Sequence, residues 1–127
     1  MSLSAQTESL KPCPDSPNCV QSFDASDQDH YIDPISIKPP AGQSISDYLV
    51  QQLQTLPRVK ITEQRDDYLH AEFTTLIMRF VDDVEIVIDA EQQLLHVRSA
   101  SRTGYSDFNA NRKRVEMLRT LFQSPAT

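Results

Sequence analysis

The sequence predicts a single α+β domain, a curved antiparallel sheet with two helices on one face, of the helix-grip or TATA-binding-protein-like kind. Two periodicities and the chain length carry this expectation. Apolar residues recur at period two between Val59 and Val97, as half-buried strands require. On either side of that stretch they recur at helical spacing. With 127 residues, the chain is long enough to bury one core without metal or many disulfides.

Taken in order, residues 1–31 show no sustained period and are rich in Ser, Asp, Pro and Gln. They are expected to form an extended arm that docks only around its two cysteines. The regular domain is expected over residues 32–123, with 124–127 as a tail. A short strand at Pro34 to Ile37 ends at Pro39-Pro40, and Ser44 reads as the cap of a helix carrying Ile45, Tyr48, Leu49, Leu53 and Leu56 on one face. Pro57 stops that helix. Strands follow from Val59, from Tyr68 to Thr74, from Met78 to Ile88 and through Leu95 and Val97, with turns at Arg65-Asp66-Asp67 and Asp89-Ala90-Glu91. Phe80, Val84, Ile86 and Ile88 should share the core face. Phe108, Val115, Leu118 and Phe122 then mark a last helix capped by Asp107. The order is β-α-β-β-β-β-α.

A formal charge of −6 argues against nucleic acid as a general partner, because phosphate binding relies on Lys and Arg. The charge is uneven. In residues 98–127, six cations face only Asp107 and Glu116, a local +4 that leaves −10 for residues 1–97. No apolar run approaches the roughly 20 residues that cross a bilayer.

Cys13 and Cys19 flank Pro14-Asp15-Ser16-Pro17-Asn18, a stretch of turn formers that should bring the sulfurs together. A disulfide is favoured over free thiols and over a metal site, since His30, His70 and His96 lie at no recognisable ligand spacing. The opening Met-Ser-Leu-Ser-Ala-Gln-Thr-Glu-Ser lacks the basic start and apolar stretch of a leader, which read literally means cytoplasm. A disulfide points instead to periplasm or envelope. A signal or lipid anchor once placed ahead of Lys11 is the competing expectation.

Strand alternation puts His70 and Glu72, then Arg79, Asp83 and Glu85, then His96 and Arg98 on the outer face of the sheet. Such residues form a ladder of cross-strand pairs, or, if they converge, an acid–base site. Asp82 breaks the pattern, falling on the core face where an unpaired carboxylate is costly. Arg98, Arg102 or Arg112 is the expected partner.

From Arg98 to Asp107 the chain leaves a strand, turns at Gly104 and enters a helix N-terminus, where free N–H groups favour anions. The candidate binding residues are therefore Arg98, Ser99, Ser101, Arg102, Tyr105, Asp107, Asn111 and Arg112, with Asp82. The competing expectation is that Asp107 and Asn111 use up these donors in fixing the turn.

Cys13-Pro-Asp-Ser-Pro-Asn-Cys19, Tyr68-Leu-His-Ala-Glu-Phe73, Arg79-Phe-Val-Asp-Asp-Val-Glu85, Arg98 to Asp107, and Asn111-Arg-Lys-Arg-Val-Glu116 resemble, in order, the domain-of-unknown-function 1499 family of bacteria and plant plastids. The resemblance runs from about Pro12 to Phe122. It implies an envelope or lumen address for many relatives, and the family brings no established activity with it. Relatives usually have Gly at the position of Asn109, which suggests a turn needing positive φ.

The first functional expectation is a non-enzymatic binding module of the cell envelope, holding an anionic small molecule or a protein partner at Arg98, Arg102 and Arg112. The second is a hydrolase or isomerase using Asp82 or Glu85 with His70 or His96. The third is a purely structural role for these charges. Nothing in the sequence identifies a cofactor.

Overall fold

A computed structural model describes residues 10–16, 18–38, 40–102 and 108–123, with Phe108 described by its backbone alone. The expected cap Asp107, the turn at Gly104, Tyr105 and the tail 124–127 lie outside the described residues.

Among the described residues, eight elements follow one another: β1 (Cys19–Gln21), β2 (Ile35–Ser36), α1 (Ile45–Leu53), β3 (Val59–Arg65), β4 (Tyr68–Thr74), β5 (Val81–Asp89), β6 (Leu94–Ser101) and α2 (Phe108–Gln123). The strands form one antiparallel open sheet in the order β1-β6-β5-β4-β3, and β2 pairs with the other half of β6. The α+β class is as the sequence predicts, and so, among the described residues, are the two helices.

Register explains the core. Leu69 pairs with Ile86 and Ile86 with Val97, while Ala71 pairs with Val84 and Ile88 with Leu95, so these side chains line one face. Leu49 and Leu53 of α1 and Val115, Leu118 and Phe122 of α2 join them in a single apolar cluster. Both helices therefore cover the same face. Ser44 caps α1 by accepting the Asp47 N–H at 3.0 Å. The Tyr48 hydroxyl donates to the Phe122 carbonyl at 3.0 Å, tying the two helices together.

Three boundaries differ from the sequence reading. The first helix ends at Leu53 with Gln54 as its cap, so Leu56 packs on the core from the turn before Pro57 rather than from the helix. The arm supplies an extra strand, β1, whose Val20 is buried in the core opposite Ser99. Three residues are too few to show a period. Its Gln21 is buried because its own side chain accepts the Phe23 and Asp24 N–H groups and donates to the Asp24 carbonyl. At the third boundary, β5 begins at Val81 rather than Met78, because Thr75 and Phe80 close a loop. The Thr75 N–H donates to the Phe80 carbonyl, and the Phe80 N–H donates to the Thr75 hydroxyl, each at 2.9 Å. Arg79 takes a positive φ of 59° there, and Phe80 stays out of the core.

Cys13 and Cys19 form a disulfide, with Cα atoms 5.6 Å apart. The loop they close is held to the body by His30, whose Nε2 meets the Ser16 carbonyl at 2.8 Å and whose Nδ1 meets Asp27 at 2.8 Å. Both partners are acceptors, so both ring nitrogens must donate, and the imidazolium is the form that fits. Burial opposes that charge, but Asp27, the Ser16 carbonyl and the field of Asp29 outweigh it and hold the pKa above the ordinary value of 6.5.

Closing so short a loop restricts the unfolded chain by about 2 kcal/mol. Replacing both cysteines by serine should therefore lower the melting midpoint by on the order of 8 °C; an unchanged midpoint in a scan without reductant would count against this. Because the fold holds the His30 proton more tightly than the unfolded chain does, that stabilisation is fully present below pH 6.5 and fades as pH rises through the raised value. His30→Gln should cost stability at roughly pH 5 and little at roughly pH 8 in denaturant titrations. Parallel pH profiles for the two proteins would refute the assignment.

Candidate functional site

Strand β6 alternates through the sequence stretch singled out above, and the sheet therefore divides it. Ser99 and Ser101 point to the core side, and Arg98 and Arg102 belong to the outer side, as the pairings Ser101 with Asp82 and Arg98 with Glu85 require. The predicted residues form two clusters rather than one.

On the core side, Asp82 is 1% exposed and its carboxylate meets Arg114 at 2.6 Å. The cation is thus Arg114, not Arg98, Arg102 or Arg112. Arg114 also lies over the Phe73 ring at 5.2 Å and donates to Asn111 Oδ1 at 3.1 Å. Asn111 accepts from the Ser99 hydroxyl at 2.6 Å and donates to the Asn18 carbonyl at 3.1 Å and the Ser101 hydroxyl at 3.3 Å. Asn18 in turn donates to the Ser101 carbonyl at 3.0 Å. Among the described residues, Asp82 Oδ1 has no hydrogen-bond partner.

Arg114 and Asn18 were missed in the sequence. A signal existed: Asn111 stands four residues before Val115, on the buried stripe of α2. Asn109, expected in a turn of positive φ, lies in the first turn of that helix. Arg112 is directed elsewhere, donating to the Tyr31 carbonyl at 2.8 Å and the Asp29 carbonyl at 3.2 Å.

On the outer side, Arg102 forks between two strands, reaching Asp83 at 2.8 Å and Glu72 at 2.8 Å. His70 Nε2 joins Asp83 at 2.9 Å, and its Nδ1 meets the Thr62 hydroxyl. Burial works against the Asp83 charge, yet hydrogen bonds from Arg102 and His70 hold its pKa below the ordinary carboxylate value. The same contacts, to Asp83 first and then Glu72, keep Arg102 protonated. Tyr68 donates to Glu85 at 2.5 Å, and burial together with that carboxylate raises the phenol pKa, so it remains a donor.

Arg98 is the exception in this network of filled bonds. Its side chain is 14% exposed, Glu85 lies 3.8 Å away, and the Pro12 carbonyl accepts from Nη2 at 3.4 Å. Its buried Nε has no acceptor among the described residues.

The residues of the acid–base expectation do not assemble. Asp82 is on the opposite face from both histidines. His96 is buried, its Nδ1 beside the Ser22 hydroxyl at 3.3 Å; burial lowers its pKa, while the Ser22 carbonyl and Asp89 partly offset that. His70 and Glu85 are register partners, but each is bonded to another residue. Among the described residues no group of three or more His, Cys, Asp or Glu could hold a metal ion, and no helix is long and apolar enough to cross a membrane.

Removing Arg114 strands a buried carboxylate, so Arg114→Ala should cost about 3–5 kcal/mol in denaturant unfolding. Arg102→Ala, at a half-exposed pair, should cost far less. Equal losses in the two variants would contradict this division between core and outer clusters.

A profile of the family described as a protein of unknown function, DUF1499, matches residues 9–122. No curated protein matches the chain at a significant level.

Proposed function

We propose, from the premise that the chain belongs to the DUF1499 family of proteins of unknown function, that it is a non-enzymatic binding module of the cell envelope that holds an anionic group at Arg98. One observation carries this reading: a largely buried guanidinium whose Nε finds no acceptor among the described residues. A guanidinium has five N–H donors, and taking it out of water without filling them is costly. Here a carbonyl at 3.4 Å and a carboxylate at 3.8 Å leave that demand unmet. A ligand carboxylate or phosphate would supply charge-assisted, bidentate acceptors.

This narrows the site. Arg102 already spends its fork on Asp83 and Glu72, and Arg112 serves backbone carbonyls. The envelope address is supported by the Cys13–Cys19 bond, since disulfides persist in oxidising compartments. The acid–base alternative has less support, because neither Asp82 nor His96 reaches the outer polar network.

Thermal unfolding with a panel of small carboxylates and phosphates tests the reading. A ligand at about 100 times its Kd should add about 2.7 kcal/mol, a midpoint shift on the order of 10 °C. The shift should disappear in Arg98→Lys, which keeps the charge and loses the fork. If no anion moves the wild-type midpoint, or if the lysine variant responds equally, Arg98 is not an anion site.

A further inference from the structure

We propose that the β4–β5 loop, Thr75 to Phe80, is a membrane-surface anchor that inserts its tip among anionic lipids. Leu76, Ile77 and Met78 are 64%, 85% and 65% exposed, three consecutive large apolar side chains turned to solvent. Scattered exposed apolar residues are ordinary, whereas a contiguous patch marks a contact surface.

The loop is held in shape rather than loosely extended. The paired bonds between Thr75 and Phe80 close its base. Arg58, at φ 57°, braces it from the start of β3: the Arg58 Nε donates to the Thr74 carbonyl at 3.1 Å, and the Thr74 N–H donates to the Arg58 carbonyl at 3.0 Å. The apolar tip is therefore presented by the sheet itself.

Charge selects the occupant. Arg79 lies within the loop, Arg58 at its base, and Lys60 two residues further along β3 in register with Glu72; all three are exposed, and among the described residues none of them forms an ion pair. At the other end of the same strands lie the exposed turn Asp66-Asp67 and the turn leading to Glu91. Strands of this length separate the two ends by roughly 25 Å. A chain of net charge −6 thus turns a basic, apolar end outward, away from its acidic turns. Apolar side chains ringed by Arg and Lys suit the interface of an anionic bilayer. A protein partner fits less well, since three side chains on a protruding tip fall far short of the ~800 Å² that each partner in a stable complex presents.

The chain contains no Trp, so Ile77→Trp places a single reporter at the tip. With vesicles of phosphatidylglycerol and phosphatidylcholine in equal parts, its emission should shift to the blue and resist iodide quenching, with a much weaker response to phosphatidylcholine alone. In sedimentation with the same vesicles, the triple change Leu76→Ser, Ile77→Ser, Met78→Ser should lower partitioning at least about tenfold while leaving the melting midpoint in place, as expected for exposed residues. Arg58→Glu with Arg79→Glu should abolish the preference for phosphatidylglycerol. An unchanged tryptophan spectrum with both vesicle types, or a triple variant that sediments like wild type, would overturn the proposal. So would a protein that ignores vesicles but binds a soluble partner through this loop.

Discussion

The buried ion pair between Asp82 and Arg114 is the constraint on which the packing of this domain turns. Asp82 occupies a core-facing position on β5, and a carboxylate there survives only with a cation at hand. Arg114 can supply it only if α2 lies across that end of the sheet with one rotation. That rotation also brings Asn111 over Ser99 and Ser101 and, one and two turns on, Val115 and Leu118 into the apolar cluster. The last turn then meets α1 through the Phe122 carbonyl and Tyr48. Apolar burial drives the helix onto the sheet, and the ion pair fixes its register. Replacing such a pair by apolar residues is often neutral for stability, so its contribution here is to specificity of docking.

The N-terminal segment joins the two polar systems that the sheet separates. The Asn18 carbonyl accepts the Ser101 N–H at 2.9 Å and its side chain enters the inner cluster, while the Pro12 carbonyl reaches Arg98 on the outer face. The disulfide closes the chain between these two attachments, and Cys19 itself sits in register with Ala100. The bonding of Arg98 is therefore linked to the seating of the N-terminal segment: Pro12, the residue before the disulfide-closed loop, offers it one distant carbonyl.

Much of the fold could be read from the sequence, because burial follows period. Leu69, Ala71 and Phe73 on β4, Ile45, Tyr48 and Leu49 on α1, and Val115, Leu118 and Phe122 on α2 are where alternation and helical spacing place them. The misses have physical causes. β1 has three residues and buries a Gln whose polar atoms are satisfied locally, which no hydropathy pattern reveals. Met78 to Phe80 alternates plausibly with β5, yet loop closure by Thr75 turns three apolar residues outward. The candidate site was half legible. Asp82 stood out as a charge on an apolar face, but its partner could not be chosen among the nearby arginines without the rotation of α2. The cluster from Arg98 to Arg112 looked continuous in sequence, and a strand with period two necessarily splits it between two faces.

The outer face and the loop at its end are separable parts of one surface. Arg98 is in register with Glu85, four residues into β5 from Val81, so the guanidinium's strand position is about 13 Å from the base of the Thr75–Phe80 loop. Changes at such a separation with no shared partner act additively. The Arg102 bridge to Glu72 and Asp83 lies between them, filling the intervening carboxylates with an exposed cation. Arg102 brings one positive charge against two carboxylates, so the bridge halves the negative charge between the loop and Arg98 rather than removing it. The cations of the two proposed contacts are therefore distinct, Arg98 on the outer face beside Glu85 and Arg58 and Arg79 at the loop.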